Sequence, residues 1–198
     1  MIVLFLDTCT SDLNIGVVKD DILSYELKLK GNNQHSKNAL IEIDKALKES
    51  NVLPVDIDKI IVTNGPGSYT GIRIGVTIAK TYAWSNNSLL IPASSLKCMA
   101  LSQKDKEYYV SIIDARRDSS FAAIYDSNYN EVIKEKYISN INLEKEVSNL
   151  GKEYVKINEL NSNLDILKIV NYYKEKESVN PHALNPIYLK QTEAEAKL

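Results

Sequence analysis

Two cysteines, Cys9 and Cys98, and two histidines, His35 and His182, are all that this 198-residue chain offers in thiol and imidazole chemistry. The cysteines are too few and too far apart for a disulfide framework or a C-x-x-C knuckle, so a reduced, cytoplasmic setting is expected. Neither histidine has a second histidine or a cysteine at ligand spacing, which argues against a zinc or iron site. Arginine is scarcer still for its class. Of 24 basic residues only Arg73, Arg116 and Arg117 are arginines, and an arginine kept in a lysine-rich chain points to a need for the planar guanidinium fork. Basic excess is lacking too. A net charge of -2 leaves no face to neutralise phosphates, so the chain does not coat nucleic acid by itself. The apolar run "IVLFL" stops at Asp7 and has no basic flank, which makes it neither a signal peptide nor a membrane span. What remains, 44% hydrophobic against 25% charged residues, is an ordinary globular balance that supports a core without staples.

Periodicity orders the chain. "IVLFL", "LNIGVV" and "ILSYELKL" read as three successive strands separated by "DTCTSD" and "KDD". A helix follows over 36–49, with Ser36 as its N-cap and Ala39, Leu40, Ile43, Ala46 and Leu47 along one stripe. Next come the strand in "DKIIVTNG", a helix over 72–84, the strand "SLLIP" and a short helix over 95–102. The second half repeats the order. Asp114 stands after "YVSII" as Asp7 stands after "IVLFL", and then come two strands, a helix over 142–150, the strand "EYVKI" and the helix "DILKIVNYYKEK". A duplicated βββαβα unit predicts an α/β protein of two lobes with a cleft between them. The division falls into residues 1–104 and a smaller second lobe, 105–198, joined through the polar stretch "SQKDKE"; the tail 191–198 is polar.

The stretch "TNGPGSYTGIRIG", 63–75, holds four of the seven glycines between a strand and a helix, the context of a phosphate cradle. It is not a P-loop, since no lysine follows the last glycine. It is not a dinucleotide fingerprint either, since the next strand ends "LLIPASS" without an acid. A backbone nest built on Gly65 and Gly67 remains open. Asp7, Thr8 and Thr10 form a polar turn that reads either as a second set of phosphate contacts or as an Asx/ST turn joining two strands. Ser68 lacks the G-x-S-x-G spacing of a nucleophile elbow. Along the helix, Gly71, Gly75, Ala79 and Ala83 recur every fourth residue, and such a small-residue face admits a close second backbone. That backbone belongs either to the chain's own sheet or to a second subunit. Because Ile72, Val76 and Ile78 offer a separate stripe to the core, the small face is expected to serve as a subunit interface.

"LDTCT", "GPGSYTGIRIG", "IDARRD" and "NPIYLK" resemble, in order and spacing, the motifs of the bacterial TsaB family, also called YeaZ. The resemblance covers nearly the whole chain. It implies the two-lobed fold shared by actin, Hsp70 and sugar kinases, with Arg73 and Arg116 as motif arginines. It further implies a non-catalytic subunit in the synthesis of threonylcarbamoyladenosine at position 37 of tRNAs that read codons beginning with A. The implied partners are a TsaD-like transferase and a TsaE-like ATPase. It implies too that the tRNA is met through the complex and that the chain is expected to form a homodimer when alone. TsaD-like relatives carry an H-x-x-x-H metal pair on an early helix; here "HSKNALIE" places Ala39 where the second histidine would stand. Gly151 is the only glycine after Gly75, which leaves no autonomous ATP pocket and at most ATP or ADP at an interface with partners. Competing readings are a glycoprotease-type metallopeptidase and a small-molecule kinase of the same fold.

Overall fold

The structure is a computed structural model that describes residues 1–30 and 35–190, the side chains of 35–37 excepted. The side chain of Ser36, the expected cap, and the tail 191–198 lie outside the described residues. In the first lobe, β1 (Ile2–Asp7), β2 (Leu13–Lys19) and β3 (Ile22–Leu29) form the antiparallel meander, followed by α1 (His35–Glu49) and a 3-10 turn at Pro54–Asp56. Then come β4 (Lys59–Thr63), α2 (Tyr69–Asn86), β5 (Leu89–Ala93) and α3 (Ser95–Leu101). The second lobe contains β6 (Tyr108–Asp114), β7 (Ser119–Asp126), β8 (Glu131–Ser139), α4 (Asn140–Ser148), β9 (Tyr154–Ile157) and α5 (Ile166–Tyr173). The sheets run β3-β2-β1-β4-β5 and β8-β7-β6-β9. In each, the first strand pairs antiparallel with the second and parallel with the fourth. This is the duplicated, two-lobed actin/Hsp70/sugar-kinase arrangement, with the second sheet one strand short.

β1 is buried on both faces, which explains why its sequence is a continuous apolar run. The period of two sorts its side chains. Leu4 and Leu6 pack toward α1 and α2, whereas Val3 and Phe5 face a second core that also contains Leu96 and Met99 of α3, Tyr109 and Tyr125 of the other sheet, and Ile169 of α5. The lobes are therefore joined along a seam made of α3 and α5. β3 lies at a sheet edge and alternates in burial accordingly.

Three expectations are corrected. Leu40 is 53% exposed, because the stripe that meets the sheet is Ala39, Ile43, Ala46 and Leu47, and Leu40 lies one residue, about 100°, around the helix from Ala39. Helix α2 starts three residues early, since Ser68 caps it by accepting the Gly71 N–H at 3.2 Å. The chain after 105 does not all stay in the second lobe. Val179 N donates to the Leu90 carbonyl at 2.8 Å beside β5, and Leu184 is buried in the first lobe's core. The C-terminal segment is a strap laid back across the first lobe.

Candidate functional site

The sequence-marked residues gather where β1, the glycine loop and α2 meet. Asp7 ends β1 at only 3% exposure and accepts three hydrogen bonds, from Thr63 Oγ1 at 2.6 Å, Asn14 Nδ2 at 2.9 Å and Cys9 N at 3.0 Å. Burial pushes its carboxyl above the usual carboxylate range, and the three donors oppose that rise. Thr8 is wholly buried and donates its hydroxyl to the Gly71 carbonyl at 2.7 Å. Thr10 accepts the Asp12 N–H at 3.2 Å and lines the interlobe cleft. Asp7 and Thr8 are thus spent on the chain itself, as in the turn reading.

The glycine loop closes on its own chain as well. Gly65 has φ 127°, and a side chain there would lie 2.5 Å from the Ile187 carbonyl of the strap. A side chain at Gly67 would overlap the Cys9 carbonyl. Ser68 N donates to Cys9 O at 2.7 Å, and Ser95 N to Gly65 O at 3.0 Å. Protein backbone lies against the side-chain positions of Gly65 and Gly67, while Gly67–Gly71 also line the interlobe cleft.

The small-residue face is a further correction. Gly71, Gly75, Ala79 and Ala83 are all buried inside the lobe, not turned to a second subunit. Side chains at Gly71 and Gly75 would overlap Thr8, and Val62 of β4 lies 3.7 Å from the same point on Gly75. Because β1 and β4 pair directly, α2 crosses them at close range and needs its small face there. Ile72 and Val76 flank that face in the core, while Ile78 is only half-buried. The outward row is Tyr69, Arg73, Thr77 and Trp84, the last 65% exposed.

Between the lobes lies a cleft of about 700 Å³. Ser68–Gly71 at the start of α2 forms one wall, the Asp114–Arg116 turn the other, and Phe121 and Ile113 contribute apolar surface. The turn is built like the one at Asp7: Asp114 Oδ1 accepts Arg116 N at 3.0 Å, two residues on. Arg116, Arg117 and Asp118 are all left-handed, with φ of 61°, 53° and 52°. Glu159 also lines the cleft; burial raises its carboxyl pKa, Asp114 and Asp12 add to the rise, and the Asp114 amide opposes it.

Arg73 uses its fork as a lysine could not. Its guanidinium carbon sits 4.0 Å over the Tyr69 ring while Nε donates to the Tyr188 hydroxyl at 2.9 Å. Tyr188 and Glu159 escaped the sequence reading, because their roles depend on the strap and on the loop after β9 reaching elements distant in sequence. The motif "NPIYLK" was the only signal available for the first.

Ile187 approaches Gly65 and Cys9 approaches Gly67, Gly151 of the second lobe has no protein atom within 4 Å of a side-chain position, and Asp114 and Glu159 face the cleft. Among the described residues no group of three or more His, Cys, Asp or Glu is arranged to hold a metal, and no helix is long and apolar enough to cross a membrane.

Residues 30–195 match the family model described as TsaD, tRNA N6-adenosine threonylcarbamoyltransferase. The chain is 32% identical to the tRNA threonylcarbamoyladenosine biosynthesis protein TsaB of Bacillus subtilis, over 100% of this chain and 97% of that protein. A tRNA N6-adenosine threonylcarbamoyltransferase of Persephonella marina shares 34% identity over 46% of this chain and 24% of its own length. Among solved structures, YeaZ from Pseudomonas aeruginosa superposes with a TM-score of 0.81 at 19% identity, covering 95% of this chain and 99% of that one. With the full-length match to a TsaB protein, the YeaZ fold and the threonylcarbamoyltransferase family model all agreeing, the chain belongs to the TsaB (YeaZ) family of tRNA threonylcarbamoyladenosine biosynthesis.

Proposed function

We propose that this chain is a non-catalytic, activating subunit for threonylcarbamoylation of adenosine 37 in tRNAs that read codons beginning with A. It works in the cytoplasm with a TsaD-like transferase and a TsaE-like ATPase, and meets the tRNA through that complex. Alone, it is a homodimer. One observation carries the reading. Ala39, at the position of the second metal-binding histidine in TsaD-like relatives, is wholly buried against the sheet with Ile43 and Ala46, so this helix face serves packing where the relatives need a ligand. The backbone packed against Gly65 and Gly67 supports the same reading, with any ATP or ADP held at an interface with the partners.

With the small face of α2 consumed inside the lobe, contact through this helix falls on the outward row that ends at Trp84. The decisive experiment is tRNA modification by the purified TsaD-like and TsaE-like proteins, supplied with threonylcarbamoyl-adenylate, with and without this chain. Modification is expected only in the complete mixture. Modification by this chain alone would overturn the reading, as would full activity of the mixture without it.

A further inference from the structure

The strap crosses from one lobe to the other at the mouth of the cleft. Its inner part is anchored to the glycine loop: Ile187 N donates to Asn64 O at 2.7 Å, and Asn64 Nδ2 donates to Asn185 O at 3.2 Å. Beyond the anchor, Tyr188 packs against Tyr69 with ring centroids 5.2 Å apart and planes tilted by 30°, and accepts the hydrogen bond from Arg73 of α2. Two residues later Lys190 reaches the opposite lobe, where its ammonium lies 4.9 Å over the ring of Tyr137 on β8. Tyr137 in turn packs on Phe121, 6.0 Å between centroids. Tyr69 and Phe121 both line the cleft, one on each side. Arg73, Tyr69 and Tyr188 on one wall and Lys190, Tyr137 and Phe121 on the other therefore form two contact clusters joined by the backbone of 188–190.

We propose that residues 187–190 are a clasp over the interlobe cleft, fastened to the first lobe at Tyr188 and to the second at Lys190, and that releasing the two fastenings widens the cleft. At their back the lobes are held by the apolar seam of α3 and α5. The motion left to them is rocking about that seam, with its largest amplitude at the mouth. Two residues of extended chain reach only about 7 Å, so while both fastenings hold, the walls cannot part far. The fastenings are few, namely the exposed Tyr188 contacts with Tyr69 and the Arg73 guanidinium and one half-buried cation–ring contact at Lys190, while the Asn64–Ile187 anchor keeps the strap in place for re-closure. The clasp stands independently of the proposed role in tRNA modification.

The test measures the distance between spin labels at Thr77→Cys on α2 and Lys134→Cys on β8, both exposed; Cys9 and Cys98 are wholly buried and leave the labelling selective. Tyr188→Ala with Lys190→Ala is expected to shift the distance distribution to longer values and broaden it, each single variant giving a smaller shift. A distribution that superposes on that of the unaltered clasp, with unchanged circular dichroism, would overturn the proposal. Should the double variant fail to fold, Tyr188→Phe keeps the packed ring and removes only the oxygen that Arg73 holds. Amide exchange at Asn64–Gly71 and at Ser119–Phe121 should then quicken on both sides of the cleft, and unchanged exchange on the second side would refute the clasp.

Discussion

Thr8 donates its hydroxyl to the carbonyl of Gly71, and the same residue occupies the space that a side chain on Gly71 or Gly75 would need. The Thr8 backbone closes the space at Gly71, and its short side chain, held by the bond to the Gly71 carbonyl, closes the space at Gly75. Gly75→Leu is therefore expected to destabilise the monomer by overpacking, at about 1–3 kcal/mol or more. At this chain length that lowers the melting temperature by roughly 2–4 °C per kcal/mol. Thr77→Leu, on the outward face of the same helix, should stay within about 0.5 kcal/mol of the parent. Equal melting curves for the two variants would show that the small face is not packed as described.

Arg73→Lys keeps the charge but loses both the stacked plane over Tyr69 and the Nε donor to Tyr188. A double-mutant cycle with Tyr188→Phe, read by urea denaturation, should return a coupling of about 0.5–1 kcal/mol, the size of an exposed cation–ring or hydrogen-bonded pair. Strict additivity would mean that the two side chains act separately.

Leu184 lies in the strap, yet its side chain is buried in the core of the first lobe. Leu184→Ala should cost about 2–5 kcal/mol, as for a buried leucine elsewhere. The neighbouring Ile187→Ala, 42% exposed in the parent, should cost less. If Leu184→Ala is silent in thermal melts, the strap does not contribute to that core.

Glu135 accepts the Tyr125 hydroxyl at 2.9 Å in the space between β7, β8 and α3, and burial raises its pKa above 4.5 while Ser94 and Tyr125 pull it down. Glu131 adds to the rise and Lys97 opposes it. A raised carboxylate favours the folded state while it is protonated, and that contribution disappears as pH climbs through its folded value. Glu135→Gln cannot ionise. The stability difference between variant and parent should therefore move in the variant's favour as pH rises through and above the ordinary glutamate range in urea melts. A shift in the opposite direction would mean that the hydrogen bonds to the carboxylate outweigh its desolvation.

Trp84→Glu places a charge on the outward row of α2, far from the Thr8 contact. Pairing with the TsaD-like protein, measured by analytical ultracentrifugation, should weaken by roughly tenfold or more, each tenfold being about 1.4 kcal/mol, with circular dichroism unchanged. Undiminished pairing would take this face out of the proposed contact.

Most of the architecture could be read from local pattern. Apolar runs broken by "DTCTSD" and "KDD" marked the meander, and the recurrence of a strand ending in aspartate at Asp7 and Asp114 marked the duplication, because strand alternation and turn chemistry act within a few residues. The need for a planar fork at Arg73 was also legible, from its rarity alone. What lay beyond local pattern was the choice of which surface each pattern would meet. A row of small residues on α2 states only that some backbone comes close; that the backbone is Thr8 follows from β1 pairing with β4 under the helix. The glycine loop states only that something comes close, and the Ile187 carbonyl that meets Gly65 arrives from the far end of the chain. Leu40 and Leu184 make the same point from opposite sides, one apolar residue left in solvent and the other buried in a lobe that its sequence position did not suggest. Periodicity encodes a face, whereas its partner is decided by the summed burial of elements distant in sequence, which only the closed tertiary structure contains.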